Sequence, residues 1–299
     1  MRSTILLSVS LIILLPLLAL GCGKEKSDNL PEYQYKDTEN LVVLVRDAAA
    51  LIDQDGENAF SSFKTTGSKW RQGETYIFVL DTEGNMLVHP DPTLEGKNQL
   101  GLKDVNGKPI IRHIIDEVTS YSDKTEGWTH YLWPKPGDIL PTWKSTFVKL
   151  ATTPAGQKYL VGCGVYNMEM ERAFVEDEVK DAVRLIESKG ASAFDQIRDP
   201  ASEFLFPNTY VFIFTHDGTE LVNPGFRYLE GQNVMDLKDA DGKYLILAMY
   251  DLLEKQNSGW VDYKWPKPGE SKPSKKSSFV TKASMGDTWV LVGSGVYLQ

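Results

Sequence analysis

The stretch Gly127-Trp-Thr-His-Tyr-Leu-Trp-Pro-Lys-Pro-Gly137 returns as Gly259-Trp-Val-Asp-Tyr-Lys-Trp-Pro-Lys-Pro-Gly269. Both copies keep the opening glycine, both tryptophans, the tyrosine and the whole Trp-Pro-Lys-Pro-Gly tail. Agreement of that length is not chance, so the chain is a duplication, and any fold must be one that can be built twice. Within each copy the spacing of the aromatics predicts a strand with one covered face. Pro-Lys-Pro-Gly closes it, because proline cannot donate to a ladder and glycine opens a turn.

The duplication extends on both sides. Leu41, Leu44, Val45, Ala48, Leu51 and Ile52 recur at helical spacing, and Val175, Val179, Ala182, Val183 and Ile186 repeat the stripe. Gly56 and Gly190 stand as helix stops. A hairpin follows in each copy, Thr75–Asp81 returning through Met86–Pro90, and Thr209–Thr215 returning through Glu220–Pro224. Next come a polar loop (Leu102 to Lys108, Leu237 to Lys243), a helix (Pro109–Tyr121, Tyr244–Lys255) and three strands, the last ending Gly-Val-Tyr in both copies. The polar loop lacks the spaced acidic positions and closing glutamate of a calcium-binding loop. Helix, hairpin, helical insert and three strands predict an α+β fold, a five-stranded antiparallel sheet under a long N-terminal helix, twice over.

The ends and the composition narrow the setting. Residues 1–21 read as a signal segment, apolar from Ile5 to Leu20, and Ala19-Leu20-Gly21-Cys22 resembles the lipobox of bacterial lipoproteins. Cys22 is then the expected lipidation site and residues 22–40 a polar, flexible tether. The two copies become domains over 41–167 and 168–299. The junction is so short that the domains are expected in a restricted relation. No second apolar run is long enough to span a bilayer. A net charge of -9 argues against nucleic acid as a partner, since phosphate neutralisation needs a basic surface. With Cys22 acylated only Cys163 remains, so no intrachain disulfide is expected.

In their order these elements resemble the Cache domains of bacterial extracellular sensors, most nearly the single-Cache type 2 module. The resemblance rests on the aromatic strand Tyr76 to Asp81, the turn Asp81-Thr-Glu-Gly84, His89-Pro90, Gly96-Lys-Asn98, Gly127 to Pro136, Lys144-Ser145 and Gly162 to Tyr166, and on a second set from Tyr210 to Tyr297. Asn223 replaces the histidine of His-Pro in the second copy, and Phe147 and Phe279 stand near the family's usual tyrosine. The resemblance implies two PAS-like domains, each with a small-molecule pocket between the sheet and its covering loops. The expected ligand-binding residues are Tyr76, Phe78, His89, Trp128, Tyr131, Trp133 and Lys144 in the first domain. In the second they are Tyr210, Phe212, Asn223, Trp260, Tyr263, Trp265 and Lys276. Strand alternation puts Thr129, Tyr131 and Trp133 on one face, and Val261, Tyr263 and Trp265 on the equivalent face.

Aromatic walls with a lysine arriving from the next strand suit an apolar stem and a charged head, and Lys144 and Lys276 are the candidate countercharges for a carboxylate. The expected function is therefore a lipid-anchored ligand-binding and sensory protein on the periplasmic side of a bacterial membrane. It takes a small organic acid and acts through a separate membrane partner. The other reading is a structural or protein-binding lipoprotein whose pockets are filled. No Gly-x-Ser-x-Gly, His-Glu-x-x-His or phosphate loop occurs, the histidines at 89, 113, 130 and 216 are not at metal-ligand spacing, and neither an enzyme nor a cofactor is expected. If Cys22 carries the anchor, Cys22→Ser moves the protein out of the membrane fraction; a variant that still sediments with membrane in high salt contradicts the anchor.

Overall fold

The computed structural model describes residues 33–298. The signal segment, Cys22 and the tether up to residue 32 lie outside the described residues. The first element, α1 (Lys36–Asp55), begins inside the stretch expected as tether and five residues before Leu41. Two forces correct that expectation. Asp37 and Glu39 sit in the first turn, where the helix dipole favours negative charge. The Glu171 carboxylate also accepts the backbone N–H groups of Gln34 and Tyr35, both at 2.8 Å, and holds the helix entrance.

The first copy continues through α2 (Phe60–Lys64), β1 (Arg71–Gln72), β2 (Thr75–Tyr76), β3 (Phe78–Asp81), β4 (Met86–Val88), α3 (Ile110–Thr119), β5 (Glu126–Pro134), β6 (Pro141–Thr152) and β7 (Lys158–Tyr166). The second repeats it with α4 (Arg172–Lys189), α5 (Ala193–Arg198), β8 (Leu205–Phe206), β9 (Thr209–Tyr210), β10 (Phe212–Thr215), β11 (Glu220–Val222), α6 (Leu245–Lys255), β12 (Ser258–Pro266), β13 (Pro273–Met285) and β14 (Thr288–Tyr297). Each copy forms a five-stranded antiparallel sheet, in the orders β4-β3-β7-β6-β5 and β11-β10-β14-β13-β12. The fold is thus the expected α+β, PAS-like arrangement, twice. The repeated Trp-Pro-Lys-Pro-Gly strand is the edge strand β5 or β12, and Pro134 and Pro266 end it where a ladder donor is no longer needed.

Alternation splits each sheet into two cores. The long helix α1 or α4 covers one face; Val175, Val179, Ala182 and Ile186 of α4 pack there with Val211, Ile213, Val290 and Val292. The other face belongs to the insert. In the first copy Ile110, Ile111, Ile114 and Ile115 of α3 pack on Phe78, Leu80, Tyr131 and Leu160. In the second, Leu245, Ile246 and Met249 of α6 pack on Phe212, Phe214, Tyr263 and Leu291. The polar loop before this helix is pinned to the edge strand by one aspartate. Asp104 accepts from Asn106 and Lys108 N–H with one oxygen and from Leu132 N–H with the other, and Asp239 does the same for Asp241, Lys243 and Lys264.

The copies bury part of their surface against each other. Trp128 packs on Phe174 with ring centroids 4.4 Å apart, and His130 stacks on Phe206 at 4.1 Å. The Lys108 ammonium donates to the carbonyls of His130 and Leu205 at 3.0 and 2.8 Å. Three carboxylates gather at the same seam, Glu117 from α3 and Asp177 and Asp181 from α4. The buried Lys124 ammonium already occupies their centre, 2.8 Å from Glu117, 3.0 Å from Asp177 and paired with Asp181. Those carboxylates raise the Lys124 pKa against the opposing effect of burial. Removing one partner from a buried ion cluster leaves uncompensated charge and costs about 3–5 kcal/mol. Lys124→Ala is therefore expected to lower the unfolding free energy by about that amount in urea denaturation; a loss below about 1 kcal/mol contradicts the network as described.

Candidate functional site

The closing Gly-x-Gly-Val-Tyr motif is a set of seats on the inner strand. Gly162 pairs with Phe78 across the ladder, and a Cβ there would lie 2.4 Å from the Phe78 ring. Gly293 stands under Phe212 in the same way, at 2.5 Å. Gly164 makes room for a lysine stem: a Cβ would come within 2.5 Å of Lys144 Cε, and at Gly295 within 2.8 Å of Lys276 Cε. Lys144 is paired with Tyr131 on one side and Tyr166 on the other, so its side chain shares their face. Lys276 lies likewise between Tyr263 and Tyr297. The glycines thus exist so that an aromatic ring and a lysine can lie across the middle of the sheet, on the face covered by α3 or α6.

In the first domain Tyr76, Phe78, His89, Tyr131, Trp133 and Lys144 line one cavity, closed by Met86, Leu94, Leu102 and the isoleucines of α3. Its volume is about 30 Å3, room for one or two waters. Lys144 is only 2% exposed. Its ammonium donates to the Tyr76 hydroxyl oxygen at 2.7 Å and sits 4.2 Å from the Tyr76 ring centre and 4.9 Å from that of Tyr166. The ring faces offset part of its desolvation. Among the described residues no carboxylate pairs with it, and burial pushes its pKa down to about 8. Burial, then the Lys144 charge, pushes His89 down to about 4, so the ring is neutral at pH 7. His89 Nδ1 accepts the Asp91 N–H at 3.0 Å, which puts the proton of the neutral ring on Nε2. The Tyr131 hydroxyl is taken by Thr146 at 2.9 Å.

The second domain builds the same cavity, about 20 Å3, from Tyr210, Phe212, Asn223, Tyr263 and Trp265, with Phe214, Glu220 and residues of α6. Lys276 lies 1% exposed beneath Tyr210, its ammonium 4.1 Å from that ring centre and 5.1 Å from Tyr297. It has no hydrogen-bond partner among the described residues, and burial pushes its pKa down to about 7. Asn223 imitates the histidine it replaces. Its Oδ1 accepts the Phe226 N–H at 2.9 Å, as His89 Nδ1 accepts from Asp91, and its Nδ2 donates to Glu220 at 2.6 Å. The Tyr263 hydroxyl meets Ser278 at 2.8 Å.

Twelve of the fourteen expected ligand residues are therefore gathered around these two cavities, eleven as lining and Lys276 against Tyr210. Trp128 and Trp260 are not. They alternate onto the opposite face, where Trp128 packs on Phe147 and Phe174, and Trp260 packs on Phe279 with its indole N–H on Glu176. The strand period excludes them: one residue of offset from Thr129 or Val261 turns a side chain to the other face. Sequence reasoning also missed Met86 and its counterpart Glu220. The signal was in the aligned hairpins, where an apolar residue in one copy stands against an acid in the other.

Both copies are similar to known proteins. The family model described as Cache domain (dCache_2) matches residues 57–189 and again residues 187–299. A sensor histidine kinase of Rhizobium johnstonii, MctS, is 37% identical over 91 residues, 30% of this chain and 19% of the relative. A methyl-accepting chemotaxis protein of Pseudomonas putida, McpP, is 34% identical over 80 residues, 26% of this chain and 14% of the relative. The matches thus span less than a fifth of each curated relative. A solved Cache chemosensory domain described for carboxylic acid recognition is 28% identical, covering 42% of this chain and 91% of its own, with a TM-score of 0.35. With the family model matching most of the chain in two successive segments, this chain belongs to the Cache domain family.

Proposed function

We propose that this protein is a lipid-anchored extracytoplasmic receptor, held through Cys22, whose first domain binds a small monocarboxylate and whose signal passes to a separate membrane partner. Lys144 carries the proposal. A fully buried ammonium without a carboxylate partner is a cost to the fold, and a protein under no functional demand does better with an apolar side chain there. A carboxylate entering the cavity supplies the missing charge. Lys144 and the Nε2–H of His89 are the donors for its oxygens, and Phe78, Met86, Trp133 and α3 supply an apolar wall for a short stem. No helix among the described residues is long and apolar enough to cross a membrane, and an acyl anchor with a partner fits that arrangement.

The narrowness of the cavity favours a second reading, a structural or protein-binding lipoprotein with filled pockets. The two readings part on one variant. Lys144→Met keeps the stem and removes the charge. In the unfolded chain the lysine keeps an ordinary pKa near 10.5, above its folded value of about 8, so the unfolded state binds more protons between those limits. Stability of the unliganded protein is then expected to rise as pH rises from about 8 to 10.5. At neutral pH, Lys144→Met is expected to be more stable than the parent by up to about 3 kcal/mol. Affinity for acetate or propionate behaves oppositely. It should fall about tenfold or more in Lys144→Met and, in the parent, decline above pH of about 8 as the ammonium deprotonates. Calorimetric titration with both acids, alongside urea denaturation, reads the two effects. No carboxylate binding by the parent, or equal affinity in the variant, contradicts the receptor reading.

A further inference from the structure

The seam between the copies holds two buried polar side chains that the fold itself leaves unused. Glu178 of α4 is 7% exposed, and neither carboxylate oxygen has a hydrogen-bond partner among the described residues. Thr129 of β5 is 5% exposed, and its hydroxyl is unpaired in the same way. Both line one small pocket of about 20 Å3, walled by the rings of Trp128, Phe174, Phe204 and Phe206. The duplication makes these two residues informative. Val45-Arg-Asp-Ala matches Val179-Lys-Asp-Ala, so Glu178 stands where the first copy has Leu44. Thr129 stands where the second copy has Val261, a side chain of nearly the same shape. Each sister position is apolar, whereas the seam buries an acid and a hydroxyl without partners, which costs free energy. Burial pushes the Glu178 pKa well above the usual carboxylate range. Ser294, Lys108 and Lys276 oppose that shift without pairing with it. The Ser294 hydroxyl donates to the Tyr210 carbonyl at 2.9 Å, and the Lys108 ammonium is held by the carbonyls of His130 and Leu205.

We propose that the seam is a second ligand site, which takes a primary alkylamine with its ammonium on Glu178 and Thr129 and its stem in the wider cavity beside them. That cavity, of about 360 Å3, lies between α3 and α4 and shares Glu117, Thr129, Asp181 and Phe204 with the inner pocket. It has the size of a small-molecule site, and Tyr121, Leu185 and Phe204 give it apolar surface for a stem. The inner volume selects the head group. About 20 Å3 admits one water-sized group, hence a primary ammonium and not a trimethylammonium. Charge selects the sign. Lys124 already serves Glu117, Asp177 and Asp181, so Glu178 is the acid of this seam left without a cation. An arriving ammonium favours the ionised carboxylate that burial disfavours, and the surrounding ring faces suit a cation. Lys108 lines the same pocket, but its ammonium is spent on two carbonyls and burial lowers its pKa to about 8. Neither Lys144 nor His89 lines the seam, so this site stands apart from the cavity on the sheet face. Its walls come from both copies, and an amine bound there ties one to the other.

The test titrates the full chain with butylamine and 1,4-diaminobutane by calorimetry at fixed ionic strength. At least one amine is expected to bind and to raise the Tm. Glu178→Leu, which copies Leu44, and Glu178→Gln, which keeps the shape, should each weaken binding about tenfold or more. Thr129→Val copies Val261 and should weaken it several-fold. Butyltrimethylammonium should bind the parent no better than it binds Glu178→Leu. Circular dichroism of each variant reports folding; if neither Glu178 variant folds, the isosteric Thr129→Val still decides, and unchanged affinity there overturns the proposal. It is also overturned if neither amine binds the parent, or if affinity survives both changes at Glu178. A parent that binds no amine, beside a Glu178→Leu variant that is more stable, marks the pocket as a seat for water only. Lys144→Met should leave amine binding unchanged; its loss in that variant would move the amine to the sheet-face cavity and overturn the seam assignment.

Discussion

Each domain buries a lysine in the middle of its sheet and, among the described residues, leaves it without an ion pair. Burying a charge is among the largest penalties a fold can carry, and it persists only where the surroundings are built to hold it. Here the surroundings are specific. Gly164 and Gly295 clear the neighbouring strand for the lysine stems. Tyr76 and Tyr166, or Tyr210 and Tyr297, present ring faces to the ammonium. The helical insert, with α3 or α6 packed over that face, keeps bulk water from screening the charge. A cation prepared in this way, and held in no ion pair among the described residues, is the basis on which an anionic ligand is proposed.

The copies show how a duplicated fold diversifies without disturbing its frame. The strand orders match, the loop aspartates Asp104 and Asp239 make the same three contacts, and the tyrosine hydroxyls of Tyr131 and Tyr263 meet equivalent hydroxyls on the next strand. What changed is the rim of the cavity. His89 and Met86 became Asn223 and Glu220, and the amide kept the backbone contact of the imidazole it replaced. The difference between the cavities lies in two side chains at the end of an edge strand.

Much of this was legible from residues alone because it repeats. The duplicated edge strand, the Gly-Val-Tyr closures and the helix stops fixed the element order, and alternation placed Tyr131, Trp133, Tyr263 and Trp265 on the cavity face. Trp128 and Trp260 were assigned to the site on aromatic character when alternation already excluded them. The seam between the copies was not legible. Lys124 sits in Ser-Asp-Lys-Thr-Glu, which reads as a solvated loop, and only the tertiary fold brings Asp177 and Asp181 to it. The start of α1 was hidden for a similar reason, since the group that holds it, Glu171, is 136 residues away along the chain.

The most direct measurement of the central claim is the pKa of Lys144 itself, followed by NMR of the side-chain nitrogen in protein labelled with 15N-lysine, with and without propionate. The account predicts a value near 8 in the free protein, set by burial. Saturation with the acid should move it back above about 10, because the bound carboxylate favours the charged form. A free-state value at the ordinary 10.5, or a depressed value that saturating propionate leaves unmoved, would contradict it.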